Sequence, residues 1–455
     1  MTPRTDSNAP RLRQYVWASV AGNLLEWYDF FLYGLTAALV LGELFFPPEK
    51  NPLIGTMAAF GTFAVGYAAR PVGALIFGHL GDRIGRQPAL VITLLMMGIS
   101  TTIMGLLPTY ASIGLWAPLA LVILRIVQGI AAGGEWGGGV LLISENVDRK
   151  RRGFSSALSQ TGVSLGFVLA AGVFLIVRQM PTEVFMTWGW RVPFLASILI
   201  VAVGLYIRLR LPENASFREL QAEEQRTGRQ ERSKLPIVDA FRHSFGSMLV
   251  GMGIRIAEGA GSYIFLVFAL TYGKSIGLSP NILLAAVMVS MVVDAIDMAA
   301  YGRLSDKIGR RPVYLIGSIG LMVYAFPFFY LLSTGNTVAI FAAFIIANGL
   351  VHAAMIGVQP ALYTELFGTK VRYSGIAVGR EIASILGGGI APLVATALFN
   401  AYKSPYPVSW YLIAMGLVTT IAVVASRCVR THEGTLVAAP PDRAIGTPLY
   451  EEPQG

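Results

Sequence analysis

Residues Gly78 to Pro88 read GHLGDRIGRQP, and Gly302 to Pro312 read GRLSDKIGRRP. Both share one skeleton: Gly, Leu two residues on, Asp, a cation, Ile, Gly, Arg, any residue, Pro. The second begins 224 residues after the first (302 less 78), about half of the 455-residue chain. Repetition at that offset reads as two copies of one structural unit. Each copy lies between two long apolar stretches, and its Gly and Pro favour a tight turn. Its cations, Arg83, Arg86, Lys307, Arg310 and Arg311, stand where cytoplasmic loops of membrane proteins carry positive charge. Asp82 and Asp306 are suited to accept hydrogen bonds from a helix N-terminus or from an Arg.

Composition agrees with a membrane setting. The chain is 54% hydrophobic and 13% charged, with a mean hydropathy of +0.61, against about 25% charged in soluble domains. Its 50 glycines suit close helix packing in lipid. The net charge of +9 is partitioned between loops, which explains it without a nucleic-acid partner. One cysteine, Cys428, excludes an intrachain disulfide and a Cys-based metal cluster. The polar, basic start and the long first apolar run do not form a secretory signal.

A bilayer core of about 30 Å takes roughly 20 apolar residues per helix. Spans are predicted near 16–44, 53–80, 89–108, 113–144, 153–178 and 190–210, then 246–273, 281–302, 312–333, 337–366, 374–400 and 407–427. The expected organisation is a tail over 1–15, a six-helix bundle over 16–210, a charged cytoplasmic linker over 211–244, a second bundle over 245–430 and a disordered, Pro-rich tail over 431–455. Arg11, Arg13, the repeat cations, Arg149 to Arg152, the linker, Lys370, Arg372, Arg427 and Arg430 share one set of loops. The alternate loops hold little beyond Lys50, Arg178, Arg191, Lys274 and Lys403. Both termini are therefore expected in the cytoplasm.

The two repeats resemble the loop motif between the second and third helices of each half in the major facilitator superfamily. That resemblance implies an all-helical fold of two pseudo-symmetric six-helix bundles. The halves also match where Glu145 precedes Arg152, and Glu365 precedes Arg372, by seven residues. The resemblance implies that Asp82, Glu145 and Arg152, with Asp306, Glu365 and Arg372, form cytoplasmic charge networks that hold the inner side shut and break when it opens. Gly78, Arg83, Arg86 and Arg310 belong to the same gate.

Charges inside the spans are costly and mark function or pairing, at about 2.5–3.5 kcal/mol or more each. Glu26 and Asp29, about 60° apart on the first helix, form a candidate proton site; Asp29 is preferred because it lies nearer the middle. Glu26 alternatively pairs with a neighbouring Arg. Arg70 lies in the second span. Arg125 opens RIVQG, with Gln128 on a similar face, and resembles the superfamily's fourth-helix RxxQG motif, linked there to proton coupling. Its fixed charge suits a carboxyl of the protein or a bidentate grip on a substrate carboxylate. Glu135 and Trp136 sit in the glycine run 133–139, where Glu135 either pairs with a buried Arg or lines a cavity. Arg255 and Glu258 neutralise each other at three-residue spacing, and Tyr263 is placed to bond a hydroxylated ligand. Asp294 and Asp297 form either a second titratable site or partners for Arg255 and Arg380. His352 either titrates or makes a helix contact. Arg380 and Glu381 read as gate or packing. Asn23, Tyr28, Tyr33, Gln160, Gln359 and Tyr363 are candidate cavity-lining residues.

Longer stretches narrow the resemblance: EWYDFFLYG (26–34), 63–86, RIVQGIAAGGEWGGG (125–139), WGWRVPFL (188–195) and 365–392. Together they resemble the metabolite:proton symporter branch, whose members carry shikimate, 2-oxoglutarate, citrate, or proline and betaine. WGWRVPFL and FGTKVRYSGIAVG look most like the shikimate carriers, while Arg380-Glu381 departs from that pattern. The function so implied is proton-coupled import of a small polar metabolite, shikimate or a dicarboxylate among the candidates, across a bacterial-type inner membrane. The partners are substrate, protons and lipid; the protein is expected to be monomeric, with no cofactor beyond the proton gradient. Alternatives are a proline/betaine:proton symporter, a facilitator without proton coupling, and a non-transporting membrane sensor. No P-loop, HExxH or GxSxG is present, so no enzyme or intrinsic ATP drive is expected.

Overall fold

The computed structural model describes residues 9–48, 50–84, 86–134, 152–210, 236–366 and 379–427. Among them twelve helices are long and apolar enough to cross a membrane: α1 Ser19–Leu44, α2 Pro52–Gly81, α3 Pro88–Leu106, α4 Trp116–Gly133, α5 Arg152–Val177, α6 Gly189–Tyr206, α7 Gly246–Ser275, α8 Pro280–Ile308, α9 Arg310–Ser333, α10 Thr337–Leu366, α11 Gly379–Tyr402 and α12 Tyr406–Ala425. Local chemistry sets several ends. Pro stands in the first turn of α2, α3 and α8, where its missing N–H costs nothing. Asn336 caps α10, its side chain accepting from the backbone N–H of Val338 and Ala339. Between α8 and α9 the chain turns on Gly309 at φ +96°, a conformation that favours glycine. The chain is helical from Pro236 onward, so the last part of the stretch read as linker is helix.

Lipid decides the outer faces. Backbone groups must bond within each helix, and large apolar side chains such as Ile176, Leu199, Val323 and Val338 point outward. Trp116, Trp188, Tyr402, Tyr406 and Trp410, exposed near one edge of the bundle, form the aromatic belt of a membrane–water boundary. The helices pack in equivalent ways before and after residues 211–235: α2 on α4 as α8 on α10, and α3 on α6 as α9 on α12. In α1 and α7, 94% of the apolar window is buried, against 39–67% in the others. These two are the central helices, and each carries a π-turn at a matching place, Ala37–Leu41 and Ile264–Phe268.

Two antiparallel seams join the halves. Along α5 and α8, Gly153 and Phe154 donate their backbone N–H to Asp306 (2.9 and 3.0 Å), Ser164 donates to Asp294 (2.6 Å), and Arg178 donates to Asn281 (3.2 Å). Gly302 permits this approach, since a Cβ there would lie 2.6 Å from that of Ala157. Along α2 and α11, Arg70 meets Glu381 (3.5 Å) and Asn51 donates to Asn400 (2.7 Å). Farthest from the repeat loops, Lys274 at the end of α7 pairs with Glu43 at the end of α1 (2.6 Å).

Candidate functional site

Ten ionisable side chains other than Tyr are buried in the core among the described residues: Glu26, Asp29, Arg70, Arg125, Arg255, Glu258, Asp294, His352, Arg380 and Glu381, each at most 3% exposed. They fall into three groups.

The first surrounds Arg125. Helices α2 and α4 touch through glycine; a Cβ on Gly129 would lie 2.0 Å from the Gly66 carbonyl oxygen. The guanidinium of Arg125 therefore lies against α2. Its Nη1 donates to Gln128 Oε1, and Gln128 Nε2 donates to Thr101 (2.9 Å). Its charge sits over the ring of Tyr33 at 4.0 Å, with Phe30 and Phe63 each at 5.1 Å. Nε and Nη2, the two nitrogens that form one edge of the guanidinium fork, have no hydrogen-bond partner although buried. Such donors cost free energy until something accepts from them. Of the two partners the sequence offered Arg125, a protein carboxyl or a substrate carboxylate, the described contacts show neither; aromatic faces surround it.

The second group ties α1, α2 and α11. Arg70 Nη2 donates to Glu26 (3.4 Å) and Nη1 to Glu381 (3.5 Å), while Arg380 pairs with Glu381 (2.6 Å). The Arg70 charge also lies over Phe30 (4.1 Å) and Tyr67 (4.5 Å). Glu26 and Asp29 face different helices: Asp29 accepts from Ser197 of α6 (2.8 Å). Tyr263 does bond a hydroxyl, that of Tyr67 across the halves, and Tyr28 ties α1 to the Pro193 carbonyl (2.8 Å).

The third group lies in the second half. Arg255 pairs with Glu258 one turn on, and also donates to Gln359 (3.1 Å) and Ser384 (3.3 Å). Glu258 faces His352 Nε2 at 3.4 Å, and His352 Nδ1 meets Asp294 at 3.0 Å. Neither Arg255 nor Arg380 is the partner recorded for Asp294. Gln160 is buried on α5 beside Ser159.

At the repeat loops, Asp306 caps the start of α5 and pairs with Arg310 (2.8 Å), which reaches Glu365 (3.4 Å). Arg152 opens α5. Gly78 has open space around it, unlike its counterpart Gly302. Glu135, Trp136, Glu145 and Arg372, with the side chains of Asp82, Arg83 and Arg86, lie outside the described residues.

Sequence reasoning marked Arg70 and His352 as charges in spans without naming partners and offered Arg255 or Arg380 for Asp294; the observed partners sit on other helices, Glu26 and Glu381 for Arg70 and His352 and Ser164 for Asp294. Tyr67, Ser164 and Ser197 carried no signal in the sequence; a lone hydroxyl in an apolar run is commonplace.

Residues 15–439 match the family described as sugar (and other) transporter. The chain belongs to that family of the major facilitator superfamily. A member of this transporter family is not an enzyme. The shikimate transporter of Escherichia coli (strain K12) is 38% identical over 418 residues, covering 91% of this chain and 94% of that protein. The inner membrane metabolite transport protein YhjE of the same strain is 37% identical over 423 residues, covering 91% and 93%. Its proline/betaine transporter is 34% identical over 425 residues, covering 92% and 84%. The solved structure of the proton:xylose symporter XylE superposes with a TM-score of 0.70 over 92% of this chain and 95% of that one, at 17% identity, which shows a shared fold. The transporter is a multi-pass membrane protein of the bacterial inner-membrane type.

Proposed function

We propose that this transporter imports a small organic carboxylate together with protons, by alternating access between its two halves. One observation carries the reading: Arg125 is fully buried, yet its Nε and Nη2 donors are unfilled. A guanidinium edge is the complement of a carboxylate, which takes two parallel charged hydrogen bonds from it. The rings of Tyr33, Phe30 and Phe63 around it supply apolar walls for a small cyclic acid. The likeness to a shikimate transporter supports a hydroxylated ring acid as the first substrate to test.

Charge supports proton coupling. Moving an anion inward against an inside-negative potential costs about 2.3 kcal/mol per charge per 100 mV. A proton travelling with each carboxylate cancels that cost. Glu26 pairs with Arg70 and Asp29 accepts from Ser197; Asp29, nearer the middle of its span, is the α1 carboxyl assigned to the proton. The contacts between halves are those a rocking motion must break and remake: Lys274–Glu43 and Asn51–Asn400 at one end, Tyr67–Tyr263 and Arg70–Glu381 in the middle, Asp306 on the start of α5 at the other.

A second reading is favoured by the aromatic cluster of Phe31, Phe63, Tyr67, Phe167 and Tyr263. A zwitterion such as proline or betaine would place its carboxylate on Arg125 and its cation on those ring faces. Uptake of labelled shikimate into proteoliposomes, with and without an inward proton gradient, separates the readings when competed by 2-oxoglutarate, citrate, proline and betaine. Accumulation above equilibrium that needs the gradient is the expected result. Competition by betaine alone moves the substrate to the zwitterion, and uptake indifferent to the gradient overturns the coupling.

A further inference from the structure

Among the described residues the buried charges do not balance. Arg70, Arg125, Arg255 and Arg380 bring four positive charges to the described core, and Glu26, Asp29, Glu258, Asp294 and Glu381 bring five negative ones. An uncompensated charge in a low-dielectric interior is strongly unfavourable. The deficit is one positive charge, and it localises. Arg70 and Arg380 lie with Glu26 and Glu381. Arg125 and Asp29 offset one another in number. In the second half Arg255 pairs with Glu258, while His352 lies between Glu258 and a second carboxylate, Asp294.

The imidazole lies where that charge is missing. Its Nδ1 lies 3.0 Å from Asp294 Oδ1 and its Nε2 lies 3.4 Å from Glu258 Oε1. A neutral imidazole carries one N–H and one lone pair, so one nitrogen would present its lone pair to a carboxylate oxygen. Nδ1 hydrogen-bonds Asp294, whereas Nε2 makes no hydrogen bond and meets Glu258 as a charge contact, which an imidazolium answers and a bare lone pair does not. The ring is 3% exposed.

We propose that His352 is a proton-binding site, an imidazolium clamped between Glu258 of α7 and Asp294 of α8. The neighbouring helices bring further charged and polar groups. From α7 come Glu258 and, behind it, Arg255; from α8 Asp294 and, a turn away, Asp297, whose Oδ2 lies close to Gly349. From α9 comes Tyr314, tied to the Ile254 carbonyl and to Gln359; from α10 itself Asn348, which bonds Ser290. The chain does not end in the second half. Asp294 Oδ2 accepts from Ser164 of α5 (2.6 Å), so the cluster is bonded across the seam that alternating access must open. Parting of α5 from α8 removes that donor and admits water to both carboxylates, which ends the need for the proton. Loading therefore accompanies the packed seam, and release accompanies its opening.

The role in transport rests on the proton-coupled reading above, but the protonation itself is measured without substrate or gradient. The probe is ring-nitrogen NMR of 15N-histidine-labelled protein in lipid nanodiscs at pH 7, with His79→Gln, His243→Gln and His432→Gln leaving His352 alone. Both ring nitrogens are expected to carry a proton. In Asp294→Asn the cluster balances without one, and the ring is expected to become neutral; Glu258→Gln gives the same outcome should Asp294→Asn fail to fold. A neutral ring in the parent protein, or a charged ring that persists in both variants, overturns the assignment. Either result leaves the uptake experiment standing. Conversely, gradient-independent uptake with a charged His352 sinks the coupling reading and not this site.

Discussion

Replacing Arg125 with Lys keeps the charge and removes the fork. In the structure Nη1 is spent on Gln128, and Nε and Nη2 are the unfilled pair. A carboxylate docked on that edge makes two charged hydrogen bonds, each contributing about 1.5–3 kcal/mol. A lysine ammonium is a point donor on a flexible stem and preserves at most one of them in this geometry. The loss is thus one charged bond, or roughly tenfold to a hundredfold in substrate affinity. It also forfeits the stacking of the guanidinium on Tyr33, 4.0 Å away. The assay is counterflow of labelled substrate in proteoliposomes at several concentrations, beside thermal stability of the purified variant in detergent. A raised KM with a stability close to the parent is expected. A KM within twofold of the parent, in a stable Arg125→Lys protein, would refute the carboxylate role and leave Arg125 as a packing residue.

Three further outcomes follow from named contacts. Gly66→Ala places a Cβ 3.0 Å from Arg125 Nη2 and 3.1 Å from Nε; it should cover the unfilled edge and weaken substrate binding, read by the same counterflow assay, and unchanged affinity would show that the substrate approaches elsewhere. Asp306→Ala removes the acceptor for two N–H groups at the start of α5 and the partner of Arg310; with caps contributing about 1 kcal/mol each, a cysteine at Ser305 in a Cys428→Ser background should be modified several-fold faster by a water-soluble maleimide. Lys274→Met breaks an exposed pair, its partners 44% and 48% exposed; such pairs contribute about 0–1 kcal/mol, so transport should change by no more than a few-fold, and that change should vanish at high salt.

The architecture was legible in the chain because lipid imposes it. Twelve apolar runs had no other stable outcome than spanning helices, and the repeated turn at 78–88 and 302–312 announced the duplication. Gly309 shows why that turn reads so plainly: a positive φ between two helices demands glycine. The identity of the buried charges was equally plain, since any Arg, Asp or Glu within an apolar run stands out. Arg125 with Gln128 three residues on was readable as a unit, because both lie on one helix and helical periodicity fixes their proximity. The same holds for Arg255 with Glu258.

Pairings between helices were not legible, because helical periodicity fixes neighbours on one helix and says nothing of which face meets which partner. Glu26 and Asp29 share a helix, yet rotation about its axis sends one to Arg70 and the other to Ser197. That Arg125 lies among rings rather than beside a carboxylate depends on how closely α2 meets α4 at Gly66 and Gly129, a matter of packing. His352 becomes a bridge only when α7, α8 and α10 come together around it. The sequence by itself thus determined the spans, their duplication and the stock of buried charge, because the bilayer reads those locally. Only the tertiary structure decided which charges are paired, which guanidinium edge is left open and which histidine stands between two acids, because each of those depends on three-dimensional contact between segments far apart in the chain.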